Sequence, residues 1–222
     1  MLSFAQVKEN PLILEFIRKS DQTLVALLYT DHGLRHLNLV VKRARYIAKS
    51  VGLNKREEEL AAIASFCHDM GNFLSRSHHN YFGALLFCQV FQGKIPEKEL
   101  TTIMQAISNH DKQLEDINFV SPISAVVVLA DKSDVERSRV IKRDLKQIKL
   151  SIHDRVNYAT TKNRLEINQQ KRRITLNLRI DTNFVPIMEY FEIFTDRMIF
   201  CRKAAEFLNY QFGLVINKTR LL

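Results

Sequence analysis

An imidazole and a carboxylate stand side by side at the end of an apolar run in Phe66-Cys67-His68-Asp69-Met70-Gly71. Burying such a pair without partners costs several kcal/mol, so a sequence that does so places something there for the pair to hold. A divalent metal ion is the obvious candidate. His36 lies upstream, His79 and His110 lie downstream, and Asp131 closes the aliphatic run Val126-Val127-Val128-Leu129-Ala130. Three or more imidazoles with two carboxylates form a nitrogen-rich donor set, which suits Mn, Fe, Co, Ni or Zn better than Mg or Ca.

Each of these residues falls on a segment with helical periodicity. Leu34, Leu37, Val41, Ala44, Ala48 and Val51 recur at helical spacing after a cap at Thr30 or Asp31, Gly52 stops the run, and His36 borders its apolar stripe. Asn54-Lys55-Arg56-Glu57 has the form of a capping box. The helix that it opens turns apolar through Leu60, Ile63, Ala64 and Phe66, and Gly71 suits a left-handed C-cap that leaves His68 and Asp69 in the last turn. A helix C-terminus favours a nearby cation. Ser77 caps a segment running through His78 and His79 to Gly93, and Ile95-Pro96-Glu97 starts another that points towards His110. Ser121-Pro122 opens a helix on which Ile123, Val127 and Asp131 follow one another at four-residue steps, so the carboxylate continues an aliphatic face. Such a carboxylate needs a strong partner, either a metal or a buried Lys or Arg. Asn10-Pro11 begins an N-terminal helical segment, broken near Ser20-Asp21, that reaches Tyr29 and covers the core.

His, then His-Asp, then His, His and Asp, each on its own helical segment between Asp31 and Asp134, resembles the HD superfamily of metal-dependent phosphohydrolases. The resemblance implies a mainly α fold, a helical bundle of HD type. It implies one or two ions: His36, His68, Asp69 and Asp131 would hold one, and His79 and His110, with Asp69 as a bridge, could hold a second. It selects His79 over His78 because Gly83 supplies the small residue four positions later. It selects His68-Asp69 over the second pair, His110-Asp111, because histidines flank the first on both sides. The expected reaction is hydrolysis of a nucleotide-like phosphoester by metal-activated water, with Asp69 and Lys132 in catalytic positions and Lys132, Arg76, Lys112 and Arg137 holding the substrate. The Gly-Tyr-Pro extension of the cyclic-dinucleotide branch is not visible, and Asn72 replaces the lysine common there. Some HD-like proteins with both middle histidines are di-iron oxygenases, and the order of residues alone does not separate the two chemistries.

With 222 residues, 46% of them hydrophobic and 26% charged, the chain has enough material for a full core. We expect an HD-type domain over 1–150 and an appendage over 151–222 packed on the same core. Strict alternation at Ile174, Leu176, Leu178 and Ile180, with shorter runs at Val156-Asn157-Tyr158 and Leu165-Glu166-Ile167, predicts a small antiparallel hairpin or meander over about 155–180. A long amphipathic helix is expected from Phe184 to about Gln211, and its apolar face fits either the core or a homodimer interface. Cys67, Cys88 and Cys201 are scattered among apolar neighbours, as reduced core cysteines are. No apolar run approaches the roughly 18 residues of a membrane span, and Lys8 and Glu9 sit where a signal peptide would be apolar, so a cytoplasmic protein is expected. Residues 132–180 carry 14 Lys and Arg against 5 Asp and Glu, so the whole net charge of +9 resides in that stretch. It suits an anionic substrate or a polynucleotide. A basic nucleic-acid-binding module with a structural metal is therefore the non-enzymatic alternative.

Overall fold

The apolar runs that lead to His68 and to Asp131 are buried in the computed structural model, which describes residues 1–113 and 118–222. The described residues fall into two compact units, Met1–Asp131 and Lys132–Leu222.

The first unit contains α1 (Phe4–Lys8), α2 (Pro11–Ala26), α3 (Leu34–Ser50), α4 (Lys55–Cys67), α5 (His79–Phe91), α6 (Glu97–Asn109) and α7 (Pro122–Lys132, whose last residue opens the second unit). The predicted capping box is present, with the Asn54 side chain accepting from the Arg56 and Glu57 N–H groups and Glu57 accepting from the Asn54 N–H. From Leu60 to Cys67 every residue of α4 is buried. Three alanines among them let α3 and α6 approach it closely. A helix enclosed in this way has no polar face, and its end delivers His68 and Asp69 to the interior. Residues 125–130 of α7 are all fully buried, which does the same for Asp131.

Several boundaries differ from the sequence expectation. The short α1, unforeseen, has its own capping box between Ser3 and Gln6. Helix α2 begins as expected, on Asn10 and Pro11, but runs unbroken through Ser20. The Ser20 hydroxyl is buried because it donates to the Met70 carbonyl at 2.8 Å and accepts from the Phe73 N–H. Helix α3 starts at Gly33 without a side-chain cap, while Asp31 accepts from the Gly33 N–H and pairs with Arg35. Helix α5 is preceded by His78, with no side-chain cap bond, and Ser77 is not its cap. Gly71 is not a left-handed C-cap, since the positive-φ glycines are Gly52 and Gly93. Close backbone approach explains Gly71 instead: a Cβ there would sit 2.2 Å from the His79 carbonyl oxygen and 2.5 Å from the Gly83 nitrogen.

The second unit contains a 3-10 turn at Arg137–Arg139, α8 (Leu145–Leu150), α9 (Ile152–Ala159), β1 (Thr160–Asn168), β2 (Arg173–Ile180), α10 (Ile187–Phe207), β3 (Gln211–Ile216) and β4 (Thr219–Arg220). The sheet order is β1-β2-β3-β4. The expected hairpin is β1 with β2, Leu165 facing Leu176 and Ile167 facing Ile174. The remainder is not an antiparallel meander, because β3 pairs parallel to β2 after the α10 crossover and only β4 returns antiparallel. Val156-Asn157-Tyr158, expected as strand, lies in α9, which Ser151 caps by accepting from the Asp154 N–H. The long helix ends at Phe207, and Gln211 opens β3. Among the described residues, no helix is long and apolar enough to cross a membrane.

Candidate metal centre

The ends of α4 and α6, the start of α5, the first turn of α3 and the end of α7 bring six side chains of the first unit together. His36, His68, Asp69, His79, His110 and Asp131 are all buried, none more than 7% exposed. Asp69 lies between two histidine pairs. Its Oδ2 is 3.2 Å from His68 Nε2 and 3.7 Å from His36 Nε2, and its Oδ1 is 3.2 Å from His79 Nε2 and 3.6 Å from His110 Nε2. Asp131 Oδ1 joins the first pair, 3.4 Å from His36 Nε2 and 3.6 Å from His68 Nε2. Three overlapping triads, His36-His68-Asp69, His68-His110-Asp131 and Asp69-His79-His110, each hold their ligand atoms within 4.8 Å of one another.

The backbone decides which nitrogen His68, His79 and His110 present. Nδ1 of His68 lies 2.7 Å from the Ser65 carbonyl oxygen, Nδ1 of His79 lies 2.8 Å from that of Arg76, and Nδ1 of His110 lies 2.6 Å from that of Ile107. A carbonyl accepts only, so Nδ1 carries the proton and the neutral ring turns its Nε2 lone pair inward. The Nε2 atoms of His36 and His68 are then 3.3 Å apart, and those of His79 and His110 3.0 Å. The lone pairs of His79 and His110, facing each other at this distance, repel unless a cation lies between them. The donor set therefore fits divalent metal.

Without metal, protons would fill that role. Burial works against charge on His68, but the Asp69 and Asp131 carboxylates outweigh it and push the imidazole up to about 10. Burial likewise opposes ionisation of Asp69, yet His68, His110 and His79 hold it well below the usual carboxylate range. His110 is pushed down to about 4, chiefly by burial, with its bond to Asp69 acting the other way.

A model of the HD domain matches residues 33–162, more than half of the chain and every one of the six residues. The chain belongs to the HD domain family. No curated protein matches it.

Around the HD centre, the remaining predicted residues divide. Arg76 is at the edge of the cluster: its Nη1 donates to Asn72 Oδ1 at 2.9 Å and lies 3.1 Å from His79 Nε2, and its guanidinium stands 5.5 Å from the centre of the Tyr29 ring. Lys112 follows two residues after His110 and is half-buried. Lys132 is buried, its ammonium 5.9 Å from the Phe200 ring centre. Arg137 lies against the Tyr158 ring at 4.2 Å and donates through Nε to the Tyr158 carbonyl, an engagement within the second unit.

Two residues at the centre carried no role in the sequence reading. Asn72 is buried and donates through Nδ2 to Asp69 Oδ1 at 3.0 Å and to the Asp69 carbonyl at 2.8 Å. It thus fixes the carboxylate that both pairs share, and its own carbonyl oxygen takes the Arg76 bond. Asp111 Oδ2 lies 3.7 Å from His79 Nε2 and 3.8 Å from Arg76 Nη2. The second adjacent pair, His110-Asp111, was its only signal in the sequence.

Proposed function

We propose that the protein is a metal-dependent phosphohydrolase that cleaves a nucleotide-like phosphoester at the HD centre. The observation that supports this most is the position of Asp69, one carboxylate oxygen towards each of two pairs of inward-turned imidazoles. In this reading His36, His68, Asp131 and Asp69 would hold one divalent ion, and His79 and His110, with Asp69, would hold another. Bound there, the ions would lower the pKa of a coordinated water and neutralise phosphoryl charge.

The chain's own residues do the rest. Asn72 holds the shared carboxylate in its bridging orientation. Arg76, 29% exposed at its side chain and beside His79, supplies a cation that meets phosphoryl oxygens from the open side. Lys132, next to Asp131 in sequence, and Lys112 are the other cations we assign to the substrate. Burial of the six ligands keeps bulk water away from all but the open edge, which strengthens every interaction of the centre with an anionic group.

The test is a panel of nucleoside mono-, di- and triphosphates and cyclic nucleotides offered to chelator-stripped protein reloaded with Mn²⁺, Fe²⁺, Co²⁺, Ni²⁺ or Zn²⁺. Release of phosphate or nucleoside that requires metal and disappears in Asp69→Asn is expected. No turnover with any metal, turnover that survives the substitution, or uptake of oxygen during the reaction would overturn the proposal.

A further inference from the structure

Part of the excess positive charge of the second unit gathers on one side of its sheet. Strand residues alternate between the two sides of a sheet, and the register fixes which ones share a side. On one side Leu165, Ile174, Leu176, Leu178, Phe212 and Leu214 are buried, and α10 packs on β3. The other side is polar except at Gly213 and Val215. Lys162 stands opposite Arg179 and Arg164 opposite Asn177, and Asn177 stands beside Val215, itself opposite Arg220. Further along, Glu166 faces Thr175, and Arg173 lies between Asn168 and Gln211. Lys162, Arg164, Arg179 and Arg220 are exposed. Five cations thus share a face with one acid, Glu166, which pairs with Arg164 at 3.0 Å.

Folding alone does not ask for this. Like charges directly opposite each other on neighbouring strands destabilise a sheet, and Lys162 with Arg179 is such a pair. The turn between β1 and β2 adds Lys171 and Arg172, with Arg172 in the left-handed region at φ 44. A side chain rarely adopts that conformation without cost.

We propose that this open sheet face is a docking surface for double-stranded nucleic acid, held through its phosphates. Charge complementarity carries the choice of partner, and the amide and hydroxyl groups of Asn168, Thr175 and Gln211 add neutral hydrogen-bonding groups of the kind that contact phosphate and sugar oxygens. The face has no aromatic side chain, so it offers no platform on which single-stranded bases would stack. Its one apolar side chain, Val215, is half-buried and gives nothing to insert into a lipid surface. Strand β1 with its nine residues extends about 30 Å, close to one turn of a duplex. The proposed docking does not rest on the proposed hydrolysis.

Fluorescence anisotropy of the full chain with labelled duplex DNA and duplex RNA of about 20 base pairs, the single strands, and phosphatidylserine vesicles tests it. Both duplexes are expected to bind more tightly than the single strands or the vesicles. With five phosphate contacts the affinity should fall about five hundredfold between roughly 50 and 200 mM salt. The double variant Lys162→Gln/Arg179→Gln removes the opposed pair without burying anything, and should lower the salt slope by about 2 at a melting temperature no lower than that of the wild type. Arg164→Gln should lower it by about 1, and Lys98→Gln in the first unit should leave it unchanged. Absence of duplex binding at the lower salt, a slope indifferent to the sheet variants, or preference for single strands or vesicles would overturn the proposal.

Discussion

Replacing Asp69 by asparagine keeps the shape of the side chain and removes one charge from the point where the two histidine pairs meet. The carboxylate presents two acceptor oxygens, each 3.2 Å from a histidine Nε2, whereas the amide presents one oxygen and one NH₂ that can only donate. Metal at a hundredfold excess over its dissociation constant stabilises the native protein by about 2.7 kcal/mol. For a chain of this size each kcal/mol moves the melting temperature by roughly 2–4 °C, so the wild type should gain about 5–10 °C. Loss even of a supporting residue around a metal lowers affinity by about 10–100-fold, so loss of the shared ligand should lower it by at least the upper figure. At the same metal concentration the variant then keeps no more than about 0.4 kcal/mol, close to 1 °C. The assay is differential scanning fluorimetry of chelator-stripped wild type and Asp69→Asn, each compared with its own metal-free baseline, over a titration of Mn²⁺. Equal shifts in the two proteins would refute the bridging position of Asp69.

Three further outcomes follow from the same geometry. Gly71→Ala puts a methyl group against the backbone of His79 and Gly83, so it should destabilise the fold by about 3 kcal/mol or more and lower metal content with it, as thermal unfolding and metal analysis would register. Asn72→Ala removes two donors from Asp69 and should weaken metal binding by about 10–100-fold while the metal-free melting temperature moves far less, a split that titration calorimetry resolves. Because the metal-free His68 is pushed up to about 10, metal must displace its proton, and the apparent affinity should rise about tenfold per pH unit from neutrality until the pH nears that value. His68 stabilises the stripped protein fully below its unfolded value near 6.5, and this contribution disappears as the pH rises through about 10. A pH-independent affinity would contradict both statements.

That these six residues gather was legible from where they stand in the sequence. His68-Asp69 and Asp131 end runs so apolar that their burial was dictated, and burial of a charge asks for a partner. His36 was weaker in isolation, since one imidazole beside an apolar stripe is ordinary, and only the set gave it meaning. Asn72 and Asp111 could not be read in this way. An amide or carboxylate in a turn is unremarkable until the Asp69 oxygens are located. Gly71 misled because a glycine after a helix so often takes positive φ, whereas here it makes room for the start of α5. In the second unit, the hairpin β1–β2 announced itself by alternation. Strand β3 did not: as an inner strand between β2 and β4 it has the near-continuous apolar run Phe212-Gly213-Leu214-Val215-Ile216, which reads equally well as the end of the preceding helix. Val156-Asn157-Tyr158 has strand-forming residues, but the Ser151 cap five residues upstream commits it to α9.

The account depends most on six dispersed side chains acting as one metal centre, and anomalous diffraction from crystals of the Mn²⁺-loaded protein tests that directly. The prediction is two anomalous peaks roughly 3.5–4 Å apart, one between His36, His68 and Asp131, the other between His79 and His110, with Asp69 touching both. A single peak away from Asp69, or none in fully loaded crystals, would contradict it.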